Sequence, residues 1–95
     1  MGNQVEPERR EVHFRGRVQG VGFRWTASRI ASHFAVVGYV KNLPDGRVQM
    51  VCEGESGELD RFLAAIEAEM GRYIADTAIT KTAAIDQFTR FDIRY

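Results

Sequence analysis

EVHFRGRVQGVGFRWTASRIASHF, residues Glu11 to Phe34, changes its period half-way along, and that change decides the fold. In the first half Val12, Phe14, Gly16 and Val18 fall on one side of the chain and His13, Arg15 and Arg17 on the other, the alternation of a half-buried strand. After Gly20 and Gly22 the spacing lengthens. Phe23, Ala27, Ile30, Ala31 and Phe34 recur as one face of a helix, which predicts a helix running to about Phe34. A strand therefore passes through a glycine-bearing turn directly into an amphipathic helix.

Downstream, Val36 to Asn42 is β-branched and aromatic, and Asn42-Leu43-Pro44-Asp45-Gly46 has turn chemistry. Val48, Met50 and Cys52 then alternate with Arg47, Gln49 and Glu53, so the two runs predict a hairpin. Gly54-Glu55-Ser56 breaks the strand and offers Ser56 as an N-cap, with Glu58 placed favourably against the helix dipole. Leu59, Phe62, Leu63, Ile66 and Met70 form the apolar stripe of a second helix, and Gly71 is its expected C-cap. Tyr73 to Ala84 reads as extended, with small residues on both faces. Phe91, Ile93 and Tyr95 alternate as a short edge strand. Met1 to Arg10 is polar, charged and interrupted by Pro7, which predicts a flexible N-terminal arm ahead of a folded domain at 11–95. The order is that of an α+β, ferredoxin-like βαββαβ sandwich: an antiparallel sheet, two helices on one face and a short extra C-terminal strand. A right-handed crossover makes the first two strands run the same way. The loop after the first strand, the end of the second and the Asn42–Gly46 turn then meet at one sheet edge.

Ninety-five residues, 44% hydrophobic, suffice for one modest core. Lys plus Arg equals Asp plus Glu at 13 each, so no net charge draws the chain to nucleic acid or to an anionic membrane, and any anion site must be local. A single cysteine, Cys52, forms no internal disulfide, which fits a reducing cytoplasm. No apolar run is long enough for a signal peptide or a membrane span. No cysteine pair offers a metal site, and the reading needs neither metal nor cofactor.

The turn between the first strand and helix deserves the chemistry. Glycines there let successive amides point inward, the helix start adds its positive end, and Arg24 in the first helical turn can meet two oxygens of one phosphate. A Walker A loop would end in Gly-Lys-Ser/Thr and a dinucleotide fingerprint would need glycine at Trp25, so neither motif accounts for it. Taken alone, the stretch reads equally as a phosphate site and as a structural turn.

GRVQGVGFR at Gly16–Arg24, followed by GYVKNLPDGRV at Gly38–Val48, resembles the paired signature blocks of the acylphosphatases. The likeness is dense from about Phe14 to Gly54, follows the second helix stripe and returns at Phe91–Ile93, while Gly71-Arg72-Tyr73-Ile74 stands where that family usually has a shorter, often proline-bearing link. The resemblance implies that Arg24 binds the substrate phosphate and that Asn42 positions the attacking water. With it come the amides of Arg17, Val18, Gln19, Gly20 and Val21 as the rest of the phosphate cradle and a small acyl phosphate as substrate; the chain is expected to be a monomer. An acyl phosphate carries a good leaving group, so such a site must supply positioning and charge stabilisation rather than a strong nucleophile.

Other candidates read blandly. His13 and His33 lie away from the cradle, Cys52 alternates with core residues, Asp45 and Glu53 suit turn or surface roles, and Trp25 suits packing beside the site. The rival functions are a binding module on the same sandwich, or a phosphate or carbamoyl-phosphate site without turnover. An RNA-recognition sheet would need exposed aromatics on its central strands and a basic surface, whereas the third strand offers Gln49 and Val51 and the net charge is zero.

Overall fold

The computed structural model describes residues 6–95. The first strand, β1 (Glu8–Gly16), starts earlier than its alternation suggests, and leads through the glycine turn into α1 (Phe23–Ala31). A hairpin of β2 (Val37–Asn42) and β3 (Val48–Gly54) follows, then α2 (Ser56–Met70), a single 3-10 turn at Gly71–Tyr73, β4 (Ile74–Ala83) and β5 (Phe91–Arg94). The strands lie in the order β4-β1-β3-β2-β5. The β4–β1, β1–β3 and β3–β2 pairings are antiparallel, but β5 pairs in parallel with β2. The sheet is therefore mixed, where the sequence had suggested an antiparallel one. After β4 the chain crosses to the opposite sheet edge before it resumes, and so re-enters running with β2.

One sheet face and the helices share the core. Val12 and Phe14 from β1, Val40 from β2 and Met50 from β3 meet Ala27 and Ile30 of α1 and Leu59, Phe62 and Ile66 of α2, all buried. Removing apolar surface of this kind from water, at about 25 cal/mol per Å², is the main favourable term holding the sandwich together.

Helix ends depart from expectation for local reasons. Helix α1 ends at Ala31 because the amides of His33 and Phe34 donate to Ile30 and Ala31, three residues back, tightening the last turn. Glu55, in an extended conformation, occupies the N-cap of α2, and Ser56 is already helical. Its hydroxyl instead accepts from Arg10 at 3.2 Å. Gly71 stays right-handed, and the chain winds into the 3-10 turn rather than closing on a left-handed cap.

Two polar residues are buried against expectation. Arg10, read as part of the arm, lies in β1 and is 2% exposed; it donates to Glu8 at 2.6 Å and to Asp60 at 2.7 Å. The first five residues of that arm lie outside the described residues. Glu53, read as a surface or turn residue, is 3% exposed. The connection between β4 and β5 covers it, and its carboxylate accepts from the amides of Ile85 and Asp86 and from Arg9. Both charges are paired, as burial requires. No helix among the described residues is long and apolar enough to cross a membrane.

Candidate active site

The end of β1 sets the site. Gly16, at φ 131°, lies at an irregularity in the β1–β4 pairing, and a side chain there would collide with the Tyr73 carbonyl. Past it the Arg17 amide donates to that same carbonyl at 2.9 Å, which turns the chain out of the sheet. Val18, fully buried, and Phe23, whose ring packs tilted against Phe14 with centroids 4.8 Å apart, anchor the two ends of the loop in the core. Between these anchors Gly20 and Gly22 take φ values of 80° and 77°, a left-handed geometry that side chains resist. Among the described residues, the amides from Val18 to Gly22 donate to no protein acceptor.

Helix α1 then begins without the usual compensation. Gly22 is its N-cap, no side chain caps it, and no acidic residue stands in its first turn. The positive end of the helix, with the unpaired amides of its first turn, is thus left without a protein partner among the described residues. Helix α2 differs, since Glu58 stands in its first turn.

Arg24 projects from that first turn. It is paired with no carboxylate among the described residues; instead it donates to the Arg94 carbonyl at 3.2 Å and lies 4.7 Å from the centroid of the Tyr95 ring. Its charge is oriented but not neutralised. Asn42 closes β2, half-buried, and its side chain makes no hydrogen bond to protein among the described residues. The two residues line one cleft of about 210 Å³, together with Val18, Gly20, Gly22, Phe23, Trp25, Ile93 and Tyr95. The topology explains the meeting. β1 and β2 flank β3 and run the same way, so the loop after one and the last residue of the other reach the same sheet edge.

The remaining sequence candidates separate. Val18 and Gly20 line the cleft; Arg17, Gln19 and Val21 do not. The Arg17 amide is engaged with Tyr73, and its exposed side chain lies outside the cleft lining. The Gln19 side chain turns away to donate to the carbonyls of Leu43 at 2.8 Å and Arg47 at 3.0 Å, tying the loop to the β2–β3 hairpin. Cys52 is buried among core residues, and burial pushes its thiol up to about 12, so it stays protonated and inert. No three His, Cys, Asp or Glu side chains gather as a metal would require among the described residues. What the sequence did not reveal is the contribution of the C-terminal strand. Ile93 and Tyr95 alternate visibly, but only the parallel pairing with β2 brings them to Arg24.

A family model described as Acylphosphatase matches residues 10–93. The chain belongs to the acylphosphatase family. Among its relatives, the acylphosphatase of Archaeoglobus fulgidus is 40% identical over 85 residues, covering 90% of this chain and 96% of that protein. The crystal structure of the acylphosphatase from Bacillus subtilis superimposes with a TM-score of 0.83 at 31% identity, over 93% of this chain and 99% of that one. The same acylphosphatase fold occurs within a longer chain, T. kodakarensis HypF, with a TM-score of 0.79 at 27% identity over 93% of this chain and 12% of that one.

Proposed function

We propose that the Val18–Arg24 cradle binds the phosphoryl group of a small acyl phosphate and that Asn42 holds the attacking water, performing the hydrolysis for which the acylphosphatase family is named. The observation that carries the reading is the pairing of an unneutralised Arg24 with an unengaged Asn42 in one cleft, beside a row of free amides at an uncapped helix start. Loop amides and guanidinium supply donors to the non-bridging phosphoryl oxygens, where charge rearranges during transfer. Water held by the Asn42 amide attacks phosphorus in line. The bond from phosphorus to the acyl oxygen breaks, the carboxylate leaves as the anion, and the water's proton passes to a phosphoryl oxygen. No covalent intermediate on the protein is required, and none of the histidines or Cys52 takes part.

The protein acts on a small molecule, as a monomer in the cytoplasm, where its one thiol meets no oxidising pressure. Sizing chromatography at the mass of one chain is the expected result.

The test is release of phosphate from benzoyl, acetyl and carbamoyl phosphate, with a phosphate monoester as control and a chelator present. Wild type should cleave acyl phosphates and leave the monoester. Arg24→Ala should lose roughly a hundredfold or more in rate, the size of effect seen when an oxyanion donor is removed. Asn42→Ala should lose turnover while keeping its inhibition constant for inorganic phosphate. Wild-type rates in Arg24→Ala, or equal loss of phosphate affinity in both variants, would overturn the assignment.

A further inference from the structure

The cleft has a second wall that phosphoryl transfer does not use. Trp25, Ile93 and Tyr95 line it beside Arg24 and Asn42. Trp25 is 64% and Tyr95 96% exposed, and the other large hydrophobic side chains so exposed among the described residues are Ile79 and Ile85, neither of which lines the cleft. Solvent-open aromatic surface is thus concentrated at the one place where a substrate must enter. Single exposed apolar side chains are ordinary, but an apolar wall beside a convergent set of polar groups is the make-up of a ligand pocket.

The wall is assembled from two distant parts of the chain. Trp25 follows Arg24 in the first turn of α1, with the Arg29 guanidinium 5.6 Å from its ring centroid. Ile93 pairs with Val40 on β2, and Tyr95 lies beyond β5 with its ring against Arg24. A phosphoryl group seated on the amides and Arg24 therefore lies next to an aromatic ring. Val18 and Phe23, the other apolar lining residues, are already buried in the core. The exposed Trp25 and Tyr95, with the half-buried edge of Ile93 between the core and the cleft, are the apolar groups left to meet the acyl group.

We infer that Trp25, Ile93 and Tyr95 form an acyl subsite that selects acyl phosphates with an aromatic or extended apolar acyl group over acetyl phosphate. The inference rests on the hydrolytic reading above and names the substrate class for that same cleft. Packing a substrate ring against one aromatic side chain is worth about 0.5–1.5 kcal/mol beyond area burial, which corresponds to a change in kcat/KM of roughly 2- to 12-fold.

The experiment compares kcat/KM for benzoyl and acetyl phosphate in wild type, Trp25→Ala, Trp25→Phe and Tyr95→Ala, with inhibition by inorganic phosphate measured on each. Taking the ratio of the two substrates in each protein, relative to wild type, cancels their intrinsic difference in leaving ability. Trp25→Ala should lower the benzoyl-to-acetyl ratio several-fold with the phosphate inhibition constant unchanged, and Trp25→Phe should restore the ratio. Tyr95→Ala should lower the ratio and also weaken phosphate inhibition, because its ring lies against Arg24. Circular dichroism establishes that each variant is folded, as the exposure of both side chains leads one to expect. An unaltered ratio in Trp25→Ala and Tyr95→Ala, with hydrolysis intact, would overturn the subsite and leave the hydrolytic reading standing. Loss of phosphate affinity in Trp25→Ala would also overturn it, since the indole would then serve the cradle. Failure of wild type to cleave either acyl phosphate would overturn both readings.

Discussion

Gln19 has neither charge nor reactive atom, yet its amide joins the two halves of the site. Its side-chain nitrogen donates to Leu43 and Arg47, the residues on either side of the hairpin turn that follows Asn42. The cradle amides and the Asn42 amide, proposed above to hold the water, are thereby fixed to one another through a side chain as well as through the sheet. Each such bond contributes about 0.5–1.5 kcal/mol net, but its larger effect is on geometry, because displacing a reacting group by about 1 Å can cost on the order of a hundredfold in rate. Gln19→Ala should lower the denaturation midpoint modestly and reduce kcat for benzoyl phosphate about tenfold or more. Gln19→Glu, of equal size, sets an acceptor against two carbonyls and should do no better. Stopped assays and thermal melts on both variants measure this. A stability loss with wild-type kcat would show that the bond supports the hairpin alone.

At the scale of elements, β5 is short and lies at a sheet edge, so its position depends on what packs against it. Phe62 of α2, fully buried, meets Phe91 of β5 edge-on at 5.6 Å and Phe34, in the connection after α1, at 6.0 Å. Phe62→Ala removes the hub that holds these parts together. The expected cost is about 3–5 kcal/mol of unfolding free energy, read from urea denaturation, and a cost below about 1 kcal/mol would contradict this role. The elements legible in the sequence, β1, α1, the β2–β3 hairpin and α2, are those with one buried face, where the apolar period must match the backbone period. β4 was legible only as extended, because nearly all its residues are exposed and no face is selected. The parallel pairing of β5, the burial of Arg10 by Asp60 and Ser56, and the covering of Glu53 by the β4–β5 connection all join residues more than thirty positions apart. No local pattern encodes such contacts. The same division holds in the cleft: Arg24 and Asn42 follow from local motifs placed by a topological rule, while Tyr95 and the Gln19 tie come from packing.

Over the whole molecule charge is balanced, so pH acts on stability through particular pairs rather than through a net field. Of the three carboxylates that tie α2 to the remainder of the fold, Glu58, Asp60 and Glu69, the first two couple folding to pH. Glu58 accepts from the Ala35 amide at 2.8 Å and from Arg61, and the backbone bond first, then the guanidinium, hold its carboxyl below the ordinary 4.5. Asp60 accepts from Arg10 at 2.7 Å, which holds it below 3.8. Because both are lowered in the folded state, the unfolded chain binds more protons in that range. Their stabilisation is present above the ordinary carboxylate values and is lost as pH falls through the lowered ones. Cys52 acts with the opposite sign. Its thiol is raised from 9.0 to about 12 by burial, so the unfolded chain loses that proton first, and stability declines as pH rises from about 9 towards 12. Urea midpoints measured against pH should therefore form a plateau around neutrality with a fall on each side. Asp60→Asn should be less stable than wild type at pH 7, having lost its ionic bond to Arg10, yet should lose less on going from pH 7 to pH 3. Equal acid losses in the variant and wild type would show that the Asp60–Arg10 pair does not couple protonation to folding.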